Sequence, residues 1–340
     1  MIWENGPSET GDGVDSRDRA AEADGLVKVY GDGHRALDGL DLRAAAGQVY
    51  GLVGRNGAGK STAIGCLLGL LRPTDGRAMV LGLDLREAAA LDRARVAAVL
   101  QEPRLQDTWT GWDLMRERAQ VYPRWDADLA GRLATRFDLQ GHLGRPTGSL
   151  SGGQRRALTM LLALACRPEL LVLDEPAASL DPIARRALLD ALVQSLAEDR
   201  PPTVLLSSHV LGDLERLADR VGIMDRGRML VEDSLDALRE RFQRAQWIFA
   251  AEAPVDFQPP VRFHDLRREG RLLSAVIEVR SAAELAALRA VPGAHLDLFS
   301  LSLEDVFVAV LGTEHAPHLD EAIPDSTGEP VGSDARSVLR

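Results

Sequence analysis

The sequence predicts an α/β fold built on a parallel sheet, followed by a smaller α+β unit. Two observations carry that class. The runs QVYGLVG, ELLVLDEP and TVLLSSH are short and apolar, which is the pattern of strands buried on both faces. Helical segments separate them: STAIGCLLGLL follows the first run, an apolar helix beginning at Arg155 precedes the second, and IARRALLDALVQSLAED precedes the third. Strands alternating with helices close up as a parallel sheet with its faces covered.

Ahead of this core, LVKVY and ALDGLDL read as two strands joined by the turn-rich GDGH, a hairpin that predicts an antiparallel β subdomain. Residues 110–141 are helical in pattern and interrupt the alternation, which predicts a helical subdomain over about 103–160. After Glu232 the texture changes. QWIFAAE, the Glu-Gly turn of VRFHDLRREGRLLSAVIEV, the helical AAELAALRAV and HLDLFSLSLEDVFVAVLG predict a small α+β domain over 233–312. Residues 1–24 and 313–340 are rich in Gly, Ser, Pro, Asp and Glu and lack periodic apolar positions, so both are expected to be disordered tails.

Composition excludes several classes. A net charge of −11 over 340 residues, with no basic run, argues against a sequence-independent nucleic-acid binder, which needs a clustered cationic surface. Cys66 and Cys166 lie in separate apolar helical segments and form no CxxC pair, so neither a disulfide framework nor a zinc site is expected. The longest apolar run, near Leu158, falls short of the roughly 18 residues that suggest a membrane span, and the N-terminus has no basic stretch followed by an apolar one.

The stretch GRNGAGKST matches G-x-x-x-x-G-K-[ST] and stands between a predicted strand and a predicted helix, the context that the pattern needs. Gly54, Gly57 and Gly59 let backbone N–H groups turn toward phosphate oxygens without a Cβ in the way, and the following helix adds its N-terminal partial charge. Lys60 would reach the β- and γ-phosphates and Ser61 a magnesium ion; Asn56 and Thr62 complete the nucleotide-binding stretch. The plain alternative is a Gly-rich turn with no ligand. LLVLDEP ends a buried strand on two carboxylates, a costly arrangement unless something compensates the charge. Magnesium would do so at Asp174, directly or through water, leaving Glu175 to polarise the water that attacks the γ-phosphate.

LSGGQ is a second Gly-rich loop at a helix start. Ser151, Gly152, Gly153 and Gln154 would form another anion site. One chain holding both ends of one nucleotide would have to fold back on itself. Head-to-tail pairing of two such domains, each lending this loop to the other's ATP, is the simpler geometry.

The ordered set GRNGAGKST, Gln101 in VLQEP, LSGGQ, LLVLDEP, SLDP and His209 in LLSSHV resembles the nucleotide-binding domain of an ABC transporter, a P-loop NTPase, over 25–232. The resemblance implies ATP and Mg2+, ATP hydrolysis, and a peripheral position on the cytoplasmic face of the cell membrane. It also implies that Tyr30 stacks on adenine, that Gln101 links magnesium and the attacking water to the membrane partner, that Asp181 contacts the opposite subunit, and that His209 contacts the γ-phosphate. Two departures stand out: Arg55 replaces the family's usual Pro, and Ala177-Ala178-Ser179 replaces the commoner Thr-x-Gly. Neither removes a phosphate ligand or a carboxylate, although Arg55 at the site mouth could alter nucleotide affinity or closure.

VYPRWDADLAGRLATRFDL and LSLEDVFVAVLG resemble ATP-binding subunits of bacterial type-2 exporters of the antibiotic, multidrug or cell-envelope-stress kind, whose permease is a separate chain. The Tyr-Pro-x-Trp-Asp stretch also fits a capped turn with an aromatic anchor. Trp109 and Trp112 mark the groove where a permease's cytoplasmic helix would dock. The expected partners are therefore a second copy or a homologous ATPase subunit and a membrane permease, with export of a drug, antibiotic or lipid-like compound as the implied task. A non-transport ABC ATPase acting as a soluble assembly scaffold is the rival, and a nucleotide-gated docking subunit with little hydrolysis is a second. The appendage is open to two roles, pairing with its twin or regulating closure.

Overall fold

The computed structural model describes residues 19–102, 105–178 and 180–313. β1 (Arg19–Val29) and β2 (Arg35–Ala45) pair antiparallel as the expected hairpin. β3 (Val49–Gly54) leads into the glycine loop and α1 (Lys60–Leu67). β4 (Asp75–Val80) returns to β1, giving a three-stranded sheet ordered β2-β1-β4.

Residues 19–24 correct the expectation of a tail that reaches Asp24. They form the start of β1, with Ala20, Ala21 and Ala23 buried and Ala21 paired to Val80. Alanine is small and a weak strand former, so this stretch carries little strand signal of its own; its place between β2 and β4 decides the conformation. Residues 1–18 and 314–340 lie outside the described residues.

The short α2 (Ala90–Arg93) and β5 (Val96–Val99) precede three helices, α3 (Gly111–Val121), α4 (Ala127–Arg136) and α5 (Gly152–Ala165). Each of the three begins on a side-chain cap, and Thr110–Asp113 and Ser151–Gln154 form reciprocal capping boxes. Asp126 caps α4 and also pairs with Arg167, so the Tyr-Pro-x-Trp-Asp stretch is a capped turn, with Trp125 packed on the core.

β6 (Leu170–Asp174), α6 (Pro182–Leu196), β7 (Thr203–Ser207), α7 (Leu211–Leu217), β8 (Arg220–Asp225) and β9 (Arg228–Ser234) complete the central sheet. Its order is β5-β6-β7-β3-β8-β9, parallel except for β9. β6 and β7 are buried along their whole length. No helix among the described residues is long and apolar enough to cross a membrane.

α8 (Leu235–Arg241) leads into β10 (Phe242–Phe249), β11 (Arg262–Glu269), β12 (Leu272–Glu278), α9 (Ala282–Arg289) and β13 (Ala294–Ser300). These strands form an antiparallel sheet ordered β11-β12-β10-β13, with its own core around the fully buried Trp247. Both ends of this unit are stitched to the catalytic core. Leu235 and Leu238 of α8, and Leu303, Val306, Ala309 and Val310 of the last helix, α10 (Leu303–Thr313), belong to the apolar cluster that also holds α5, α6 and α7.

Candidate nucleotide site

β3 ends at Gly54, and the chain turns through residues 55–59 into α1. Two of the loop's glycines are demanded by space. A Cβ on Gly59, whose φ is 103°, would lie 2.5 Å from the Ala36 carbonyl oxygen, and one on Gly54 would lie 2.5 Å from the Met224 carbonyl oxygen. Both are far inside contact distance. Lys60 is buried, and its Nζ donates to the carbonyl oxygens of Gly54 at 2.7 Å and Arg55 at 3.3 Å. Burial lowers its pKa, against the opposing pull of Glu175 and Asp174. A desolvated ammonium held only by carbonyls exchanges them readily for anionic phosphate oxygens.

A cavity of about 360 Å³ opens over the loop, lined by Tyr30, His34, Ala36, residues 56–62, Gln101 and Glu175. The Tyr30 and His34 rings are stacked, 13° from parallel with centroids 6.3 Å apart, and the Tyr30 hydroxyl lies 3.3 Å from Thr62 Oγ1. Together they make an aromatic wall beside the phosphate cradle, of the kind on which a base can stack.

The acidic side comes from register. β6 and β7 run parallel with Asp174 opposite Ser207. The Ser207 hydroxyl donates to Asp174 Oδ1 at 2.6 Å and accepts from the Glu175 backbone N–H at 3.0 Å. Glu175 adopts a left-handed backbone, φ 52°, which costs a non-glycine residue about 1–3 kcal/mol. Its carbonyl accepts from Arg156 Nη1 at 2.6 Å, so both of its peptide groups are held. The Glu175 carboxylate accepts from His209 twice, from the backbone N–H at 3.4 Å and from the ring Nδ1–H, which fixes the ring tautomer. Both carboxylates are buried, Asp174 at 3% and Glu175 at 8% exposure.

The other expected residues fall elsewhere. Gly54, Arg55 and His209 line a second cavity of about 400 Å³ together with Leu211, Phe307 of α10 and Asn56, which borders the first cavity as well. None of residues 151–154 lines the cavity over the phosphate loop, and neither does Asp181. Ser151 and Gln154 cap α5, while Asp181 caps α6 by accepting from Ile183 and Ala184 N–H at 2.9 and 3.0 Å. Beside Asp181, the apolar Ile183 is 83% exposed. Sequence reasoning missed Ser207, Arg156 and His34. Only Ser207 carries a signal, because it occupies the position on TVLLSSH that a parallel register sets against Asp174.

A larger cavity of about 980 Å³ lies where β6 and β7 begin, lined by residues that include Arg124, Arg167, Glu169 and Thr203. It has no glycine cradle. Of the charges lining it, Arg124 is paired with Glu169, and Arg167 with Asp126 and Glu198.

A parallel sheet that delivers a glycine loop, a buried lysine and two buried carboxylates to one edge defines a P-loop nucleotide hydrolase. Comparison with known proteins narrows this class. The family described as ABC transporter matches residues 37–178. The daunorubicin/doxorubicin resistance ATP-binding protein DrrA of Streptomyces peucetius is 37% identical over 311 residues, covering 86% of this chain and 93% of that protein. The bacitracin transport ATP-binding protein BcrA of Bacillus licheniformis is 30% identical over 294 residues, covering 84% and 95%. A solved ATP-binding subunit of an ABC transporter superposes with a TM-score of 0.59 at 28% identity, over 65% of this chain and 92% of that one. The chain belongs to the ABC transporter family, as an ATP-binding subunit that hydrolyses ATP to power transport. Subunits of this class dimerise and work with a membrane permease.

Proposed function

We propose that this subunit pairs head-to-tail with a second copy of itself or a homologous ATPase, and drives a separate permease that exports a drug, antibiotic or lipid-like compound. Its place is the cytoplasmic face of the cell membrane, held there by the permease. The observation that carries the catalytic part is Glu175, buried at the edge of the cavity over the phosphate loop with its carboxylate gripped by His209.

The chemistry follows from these groups. ATP enters with its phosphates on the loop over 54–62, Lys60 exchanges the Gly54 and Arg55 carbonyls for phosphate oxygens, and Tyr30 receives the adenine. Ser61, Asp174 and Gln101 offer hydroxyl, carboxylate and amide oxygens, a hard donor set that suits Mg2+. Bound there, magnesium supplies neutralisation of the phosphate charge. Glu175 orients the attacking water and takes its proton, while His209 exchanges the carboxylate for the γ-phosphate as the dimer closes. Residues 151–154 lie outside their own subunit's cavity, which supports their lending to the partner's nucleotide. The exposed Ile183 beside Asp181 supports the same pairing face. Trp109, just ahead of the α3 cap, and Trp112 in the first turn of α3, 40% and 51% exposed, suit an apolar anchor for a cytoplasmic helix of the permease. The names of the relatives, daunorubicin/doxorubicin resistance and bacitracin transport, support a drug or antibiotic as cargo.

Tagged Glu175→Gln protein, purified from native membranes in ATP and magnesium, tests the assignment. A multispanning protein is expected to accompany it, and to be lost when Trp109 and Trp112 are both changed to Ala. Soluble companions alone would move the subunit to the scaffold reading.

A further inference from the structure

Arg156 is the second residue after LSGGQ and lies in the opening turns of α5. Its side chain does not follow the signature loop into solvent. It is 7% exposed and runs inward, where Nη1 donates to the Glu175 carbonyl oxygen and Nη2 to the Gln101 carbonyl oxygen. Among the described residues no carboxylate forms an ion pair with it, so a buried cation is satisfied by neutral backbone oxygens, with the charges of Asp174 and Glu175 nearby. Arginine alone suits this task, because its planar fork sets the relative position of two acceptors and keeps its charge when buried.

The two acceptors belong to residues 55 and 19 positions away along the chain, and both line the nucleotide cavity. Glu175 needs such a hold. Its left-handed backbone is secured by Ser207 at the N–H and by Arg156 at the carbonyl. Arg156 therefore ties one rigid helix to two groups of its own subunit's site. The exposed N-terminus of that same helix is the loop assigned above to the partner's ATP.

We propose that Arg156 is a positioning residue that couples the two nucleotide sites of the dimer: engagement of residues 151–154 with the partner's ATP shifts α5, and the guanidinium carries that shift to Glu175 and Gln101. The inference rests on the head-to-tail pairing proposed above. Binding at one site then improves the alignment of the water-activating carboxylate at the other, a coupling that is reciprocal in a symmetric dimer.

The test uses the full chain and two substitutions, Arg156→Lys, which keeps the charge but offers one donor point, and Arg156→Ala. ADP affinity, melting temperature and the ATP dependence of phosphate release are measured for each, and ATP-driven dimerisation is followed in the Glu175→Gln background by light scattering. Arg156→Lys should keep ADP affinity within about twofold and its melting temperature near wild type, while kcat falls on the order of 10- to 100-fold, the scale of a misplaced reacting group. The wild-type rate should be sigmoidal in ATP, and the Hill coefficient should drop toward 1 in both variants. Wild-type kcat and Hill coefficient in a variant that still dimerises would overturn the proposal alone. Parallel loss of ADP affinity and melting temperature in both variants would also overturn it, in favour of a purely structural arginine. Failure of the Glu175→Gln protein itself to dimerise in ATP would overturn the pairing, and the coupling with it.

Discussion

Glu175 and His209 share one carboxylate oxygen: Oε2 of the glutamate receives both the backbone N–H and the ring Nδ1–H of the histidine. The acid is therefore aimed before any nucleotide arrives. Glu175→Gln should retain ATP binding and lose on the order of 10² to 10⁴ in turnover, the usual scale of a general base. His209→Ala leaves the carboxylate chemically intact but unheld, so its loss should be smaller, roughly 10- to 100-fold. Phosphate release measures both, and normal turnover in the glutamine variant would remove Glu175 from its role.

Lys60→Ala should act on affinity. The ammonium is already stripped of water and held by two carbonyls, so little reorganisation precedes its contact with phosphate. Charge-assisted hydrogen bonds of this kind contribute roughly 1.5–3 kcal/mol, or about 10- to 100-fold in Kd. Titration with a fluorescent ATP analogue reads the change, and unchanged binding would count against the cradle.

Gly57 and Gly59 make a matched pair. Both have positive φ, 82° and 103°, but a Cβ on Gly57 meets open space whereas one on Gly59 meets the Ala36 carbonyl oxygen. Gly57→Ala should therefore bear backbone strain alone, about 1–2 kcal/mol. Gly59→Ala must in addition push β2 away from α1, so its melting temperature should fall further and its ATP binding should be lost. Equal effects in calorimetry would show that the close approach is not limiting.

The C-terminal sheet carries a pH dependence. Burial by itself raises the pKa of Glu278, yet hydrogen bonds and charge from Arg241 and Arg280 bring it below the ordinary glutamate value, and Arg262 faces it as well. A depressed native pKa means that the unfolded chain takes up the proton first. The stabilisation is then full above the unfolded value, about 4.3, and is lost as pH falls through the native one. Glu278→Gln should melt lower than wild type at pH 7, with the gap narrowing as pH drops below about 4. A gap independent of pH would contradict this origin.

Neither thiol should react in the native state. Cys66 and Cys166 are buried and unpaired, and burial pushes the Cys166 thiol up to about 12. A chromogenic disulfide reagent at pH 7.5 (roughly one unit below a free thiol) should titrate no fast thiol in the folded protein and both cysteines after denaturation. A fast thiol in the native protein would place one of them at the surface.

The strand, glycine loop and helix over 49–67 were legible because glycine spacing, a fully buried apolar strand and an apolar helical run all point one way. The start of β1 was not, because Ala20, Ala21 and Ala23 become strand only through their neighbours in β2 and β4. The hairpin of β8 and β9 also escaped the sequence. Its turn has positive φ at both Arg226 and Gly227, a geometry that usually advertises itself with Asn-Gly or Asp-Gly and here carries arginine first. At the site, residues adjacent in a motif were readable, whereas Arg156, His34 and Ser207 act through contacts made only by folding. Nothing in the local sequence says that the second residue after LSGGQ turns inward to the carbonyls of Gln101 and Glu175.

α10 lies beyond the small C-terminal sheet yet packs on α7 and α8, its Leu303 N–H donates to Glu215 at 2.6 Å, and its Phe307 shares a cavity with His209. The small sheet is therefore no free appendage: α8 leads the chain out to it and α10 brings the chain back onto the core. A truncation after β13 would take away none of the residues of the glycine loop, yet it would strip the cover from α7 and the Phe307 wall from the cavity that His209 lines. The histidine segment is thus buttressed from outside the ATPase motifs, by residues that no motif marks.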